Sequence, residues 1–197
     1  AARVRAHASV SEAGQGRMTP FVWQAVTGLL ISQRMWRIQR LLADDLLRLA
    51  DSTPAPTLDD TWLAGRLDRL FPTADDIEAR QAASRVATGS LAVITGGPGT
   101  GKTWSVKLVL ALLLQHALEQ GRPLTVELAA PTGKAAVRMG EAIGADLAGL
   151  GRRGIDASVL DQLRGLQPRT LHRLLGVVRP APHRFRHGAH RPLAADV

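Results

Sequence analysis

The sequence predicts an α/β fold, a parallel sheet with a small, mainly helical region ahead of it, and two observations predict it. Leu91–Ile94 (LAVI) and Leu124–Ala130 (LTVELAA) are short apolar runs, the kind that become strands buried on both faces. Each is followed, across a loop of small or turn-forming residues, by a longer run with helical spacing. Strand–helix units in succession build a parallel sheet.

In chain order, residues 1–18 are polar, small and glycine-bearing, which reads as a mobile lead-in. Pro20–Ser32 places two β-rich runs on either side of Thr27-Gly28, a hairpin pattern. From Gln33 the spacing becomes helical. Met35, Ile38, Leu42, Leu46 and Leu49 recur at three and four as far as about Ala50, with Arg34, Arg37, Arg40 and Asp44 largely on other faces. Residues 19–50 thus form an N-terminal hairpin plus helix, and DSTPAPT, Asp51–Thr57, is a breaker segment that reads as a linker.

Residues 58–197 form the second region. LDDTWLAGRLDRLF gives a short helix ending at Pro72. Thr73 with Asp76 then makes a capping-box pattern for a helix that carries Arg80, Gln81 and Arg85 into the first strand. The phosphate loop and its helix come next, then a Gly121-Arg122-Pro123 turn and the second strand. Pro131-Thr132-Gly133-Lys134 leads into a helix from about Ala135 to Leu147. Gly149–Gly154 reads as a loop, Ile155–Leu166 as a short helix, and RTLHRLLG as another, capped by Thr170 and closed by Gly176. Val177–Pro192 is irregular and basic.

The loop between the first strand and its helix is GGPGTGKT, Gly96–Thr103, and its chemistry is specific. Gly96, Gly97, Gly99 and Gly101 permit positive φ and remove side chains that would block close approach, so backbone N–H groups can wrap a triphosphate. The helix that opens at Lys102 points its N-terminal N–H groups at the same anion. Lys102 supplies a mobile charge for the β/γ-phosphates and Thr103 a hydroxyl for Mg²⁺. The nucleotide-binding set is therefore Gly96, Gly97, Pro98, Gly99, Thr100, Gly101, Lys102 and Thr103, with Trp104 at the helix start.

Composition narrows the class. The 197 residues are 45% hydrophobic, enough for a packed core and not a disordered chain. There is no cysteine, so disulfides and thiolate metal sites are excluded and a reducing, cytoplasmic setting is expected. No apolar run is long enough to span a membrane, and the N-terminal residues lack the apolar centre of a secretory signal. Net charge is +8, and Gly151–Val197 holds nine arginines against Asp156, Asp161 and Asp196, a balance suited to a polyanionic partner or to a solvated basic surface. Lys102, Lys107 and Lys134 are the three lysines, and two of them sit in motifs. His183, His187 and His190 lack companion carboxylates or thiols and read as part of a basic loop, not a metal site.

GGPGTGKT, LAAPTGKAAVRM and RTLHRLLG, in that order, together with LLISQRMWRIQ near the N-terminus, resemble the RecD family. That is the alpha subunit of exodeoxyribonuclease V (RecBCD), a 5′→3′ DNA helicase of superfamily 1. The likeness runs from about Leu29 onward and implies a RecA-like motor domain using ATP and Mg²⁺. It further implies single-stranded DNA, RecB- and RecC-type subunits as partners, no membrane, and work in double-strand break repair and recombination.

Carried over by residue, the resemblance makes Lys102 and Thr103 catalytic and Gln81 the reader of adenine, whose edge asks for a group that both donates and accepts. It makes Pro131, Thr132 and Lys134, with Thr170 and His172, the contacts to single-stranded DNA. Gln81 equally fits a solvated helix residue, Thr132 a cap beside a surface lysine, and His172 an incidental surface histidine. Trp36 becomes a candidate subunit contact. RFRHGAHRPLAADV resembles the approach to a Walker B strand, so the acidic pair and second motor lobe are expected after Val197, and the chain reads as an inactive piece of a longer helicase. A stand-alone or relaxase-type helicase, or a non-catalytic docking or DNA-binding module, are the rival readings.

Overall fold

In a computed structural model the described residues are 2–52, 58–72, 77–97, 99, 101–179, 181, 184–188 and 190–197. The expected linker residues Thr53–Thr57, the Thr73 and Asp76 capping pair, Pro98, Thr100 and His183 lie outside them. The chain divides into two compact units, Ala1–Ser52 and Thr53–Val197.

The first unit begins with α1 (Ala2–Arg5) and β1 (Val10–Glu12), and continues with β2 (Phe21–Gln24), β3 (Leu29–Ser32) and α2 (Gln33–Ala50). β2 and β3 pair antiparallel, Val22 facing Ile31, across the Thr27-Gly28 turn, where Gly28 takes φ +68°. The stretch expected as a mobile lead-in instead supplies β1, parallel to β2 with Val10 opposite Phe21. Val10 and Ser11 are buried. Thr19 Oγ1, also buried, sits 2.8 Å from Ser11 Oγ and 2.7 Å from Phe21 O, so short polar side chains close the edge that glycine spacing alone would leave loose. Ser32 caps α2, its hydroxyl accepting from Met35 N at 3.3 Å. No residue of α2 is buried.

The second unit is built on α5 (Lys102–Glu119). Around it stand α3 (Asp60–Leu70), α4 (Ile77–Thr88), α6 (Gly133–Gly144), α7 (Leu147–Arg152) and α8 (Ala157–Gly165). Lys107–Ala117 of α5 are all buried, because the helix is apolar on every side and has no polar stripe to give to water. Leu108 and Leu112 are fully buried in one core cluster with Leu67 and Leu70 of α3, Ala83 of α4, Ile143 of α6, Leu150 of α7 and Val159 of α8, among others. The segment expected as the loop Gly149–Gly154 is mostly helical, since Leu147 and Leu150 bury one face of α7, and a Cβ at Gly151 would come within 3.2 Å of Leu160 Cδ1.

The expected strands are shorter than their sequences. Leu91–Thr95 enters no ladder with any described residue, and Val93 is 76% exposed. A strand buried on both faces needs neighbours on both edges, and apolar character alone does not form it. Of Leu124–Ala130 only β4 (Ala129–Ala130) is paired, in parallel with β5 (Arg169–Thr170), with Ala129 opposite Arg169. Upstream, Glu127 N donates to Val197 O at 2.8 Å and Asp196 N to Thr125 O at 2.9 Å. β5 leads directly into α9 (Leu171–Leu175), and beyond it Val177 bridges Phe185 in a short basic hairpin.

Candidate functional site

The phosphate loop is shaped by its glycines. Gly99 and Gly101 take φ +80° and +75°, and a Cβ on either would meet nothing within 4 Å. Backbone conformation, not crowding, therefore demands glycine at both positions. Gly101 is the N-cap of α5, and the first intrahelical bond runs from Ser105 N to Gly101 O at 3.0 Å. The N–H groups of Lys102, Thr103 and Trp104 precede that bond and head the helix at its positive end. Thr103 is exposed on this turn.

Lys102 folds back over its own loop, its Nζ donating to Gly96 O at 2.7 Å and to Gly97 O. The ammonium thus rests on carbonyls that a phosphate would replace as its partner. Trp104 turns the other way, into the core beside Lys107 and Arg153, whose charged groups lie 5.1 and 6.0 Å from the ring centroid. Its share in an anion site is the backbone N–H.

Two further groups of expected residues are brought together. β4 ends at Ala130 and β5 at Thr170, side by side and parallel, so Pro131-Thr132-Gly133-Lys134 and Thr170-Leu171-His172 leave the same edge. Both threonines are caps: Thr132 Oγ1 accepts from Ala135 N at 3.2 Å and Thr170 Oγ1 from Arg173 N at 3.3 Å. A hydroxyl that accepts in this way keeps its own proton to donate, so capping and phosphate binding are compatible. Lys134 and His172 are exposed beside them, and the His172 ring lies 5.9 Å from Phe185 of the basic hairpin. Pro131 is exposed at the strand end.

Gln81 stands apart. It faces a cavity of about 620 Å³ between α3 and α4, with Leu63, Leu67, Ile77, Arg80 and Ser84. None of the described loop residues lines this cavity. Arg80 pairs with Asp68 at 2.6 Å and joins the two helices beside it. Among the described residues no group of three His, Cys, Asp or Glu side chains could hold a metal ion, His187 and His190 included. Trp36 is half-buried and borders a small cavity with Glu12, Gln24 and Arg40.

Two features escaped the sequence reading. At the far end of α5, Glu119 accepts from Trp62 Nε1 at 2.6 Å, from Gln115 Nε2 at 2.9 Å and from Arg66. Burial opposes its ionisation, but the bonds from Trp62, Gln115 and Arg66, with the Arg66 charge, outweigh it and hold the carboxyl below its ordinary value. Gln115 passes the connection to Asp156, taking Asp156 N at 2.9 Å, so α3, α5 and the start of α8 share one polar network. The second is Lys107, buried at 2% exposure at the start of the apolar run. The available signal was a lysine opening KLVLALLL, in a chain whose only other lysines are Lys102 and Lys134.

The AAA domain family matches residues 79–197, from just before Gln81 through the phosphate loop and the basic hairpin. The chain is 39% identical over 180 residues to RecBCD enzyme subunit RecD of Mycolicibacterium smegmatis, covering 90% of this chain and 30% of that protein. It is 43% identical over 149 residues to RecBCD enzyme subunit RecD of Mycobacterium tuberculosis, covering 75% of this chain and 24% of that one. Against the ATP-dependent RecD2 DNA helicase of Deinococcus radiodurans the identity is 31% over 171 residues, 86% of this chain and 19% of the relative. The chain therefore spans less than a third of the length of each of these relatives.

Proposed function

The chain belongs to the AAA domain family, as a RecD-family member of it, and on that premise we propose that it is the ATP-binding portion of an ATP-dependent 5′→3′ DNA helicase. The observation that carries the reading is the phosphate loop itself: glycines at +80° and +75°, a helix N-terminus behind them and a lysine whose ammonium donates to the carbonyls of Gly96 and Gly97. In the parent protein the RecD-type role is that of a subunit partnered by RecB- and RecC-type chains in double-strand break repair. The higher identity to the two mycobacterial RecBCD subunits than to the RecD2 helicase supports this over a stand-alone enzyme.

The residues present fit MgATP. Lys102 would exchange the Gly96 and Gly97 carbonyls for phosphate oxygens, and the N–H groups heading α5 would hold the same anion. Thr103, exposed on the first turn of α5, would offer its hydroxyl to Mg²⁺. Bound MgATP supplies the phosphoanhydride whose cleavage drives movement. Thr132, Lys134, Thr170 and His172 form a separate polar edge suited to the backbone of single-stranded DNA, with Pro131 shaping the turn. Gln81 would read adenine from the α3–α4 cavity, which requires the loop and that cavity to face one nucleotide.

The test is ATP turnover by the full-length protein with and without single-stranded DNA, wild type beside Lys102→Ala. Turnover stimulated by DNA and reduced by about 10²-fold or more in the variant is expected, the scale of losing one preorganised electrostatic partner. Equal turnover in both proteins would overturn the reading.

A further inference from the structure

Lys107 is used by neither the phosphate loop nor the polar edge, yet it touches the supporting elements of both. Its ammonium is costly to bury without a partner. The partner is the carbonyl of Ala145, the C-cap residue of α6, where the negative end of the helix dipole favours a cation. Nζ also lies 5.1 Å from the ring centroid of Trp104, the residue that follows Thr103. Burial pushes the Lys107 ammonium below its ordinary pKa, and the carboxylate of Asp146, next to the bonded carbonyl and held at φ +48°, offsets part of that shift. On the same indole, Arg153 lies 6.0 Å from the centroid and donates to Leu70 O at the end of α3.

α5 starts at the phosphate loop, and α6 starts at Thr132 and Lys134 and ends at Ala145. A polar tie from the side of one to the end of the other makes a displacement of α5 felt along α6, since each helix moves as a stiff unit. We infer that Lys107 is a positioning residue that ties the phosphate-loop helix to the helix presenting Thr132 and Lys134, so that nucleotide and single-stranded DNA bind with linked affinities. The inference rests on the nucleotide and DNA reading above.

The experiment is a titration of the full-length protein with a fluorescent ATP analogue and Mg²⁺, with and without an oligo(dT) 20-mer, roughly long enough to span a single-strand site of this kind. The wild type should show an affinity ratio between the two conditions of about 5-fold or more, the usual range for coupled sites. In Lys107→Met that ratio should fall towards one while the DNA-free affinity stays within about twofold of wild type. Asp146→Asn, an exposed change that asparagine tolerates in left-handed backbone, should lower the ratio by a smaller factor without altering the unfolding midpoint. It keeps the test decisive should the methionine variant unfold. An unchanged ratio in both variants overturns the inference and leaves the functional reading standing. Analogue binding that is insensitive to oligo(dT) in wild type overturns the inference alone, and no analogue binding in wild type overturns both.

Discussion

α2 and α5 are both 18 residues long and both rich in leucine, yet they have opposite fates. α2 carries its apolar residues on a stripe and buries none of them; Leu41, Leu42 and Leu47 are more than half exposed. α5 has apolar residues all round and buries eleven consecutive positions. The difference teaches that an apolar stripe reports only what a helix is able to cover. A helix without a polar face has no alternative to burial. The glycine-rich loop sits at the head of the helix that is packed on every side.

The largest effect expected is in α5. Leu112→Ala removes a fully enclosed side chain and should lower unfolding stability by about 2–5 kcal/mol in denaturant titration. The matching change in α2, Leu42→Ala, should stay within about 0.5 kcal/mol. A cost for Leu42 near that of Leu112 would mean that α2 is covered in solution.

Next comes the Glu119 network at the end of α5. Its carboxyl is held below the ordinary glutamate value, so the stability it contributes is present above the unfolded-state pKa and is lost as pH falls through the folded one. The unfolding midpoint should therefore drop as pH is lowered from neutrality through the glutamate range and below it. Glu119→Gln should lower the neutral midpoint and flatten that slope. An unchanged slope in the variant would assign the acid sensitivity to other groups.

A smaller effect distinguishes how each helix is started. α2 has no buried residue to stabilise it, so its first turn leans on the Ser32 cap, and Ser32→Ala should cost about 1 kcal/mol and fray the helix, visible as lost far-UV helical signal. α5 begins at Gly101 with no side-chain cap, and its order comes from packing.

The phosphate loop and its helix were legible because both are local: glycine spacing sets the turn and continuous apolar character sets the burial of α5. The hairpin at Thr27-Gly28 and the α2 spacing were local in the same way. What was not legible depends on partners distant in sequence. Leu91–Ile94 has the composition of a strand but no described neighbour pairs with it, and Val10–Glu12 looks like a lead-in until β2 pairs with it. The adjacency of Thr132 and Thr170 arises from β4–β5 pairing of residues far apart in the chain, which their motifs only implied. Lys107 and Glu119 gain their distant partners only from the packing of α6 against one and α3 against the other.

The most direct test is a titration of this chain with a fluorescent ATP analogue in Mg²⁺, wild type beside Lys102→Ala and Leu42→Ala. If the loop at the head of the buried helix is a nucleotide site, binding is saturable in wild type, weaker by about tenfold or more without the Lys102 ammonium, and unchanged by Leu42→Ala. Saturable binding of equal strength with and without Lys102 would contradict the account.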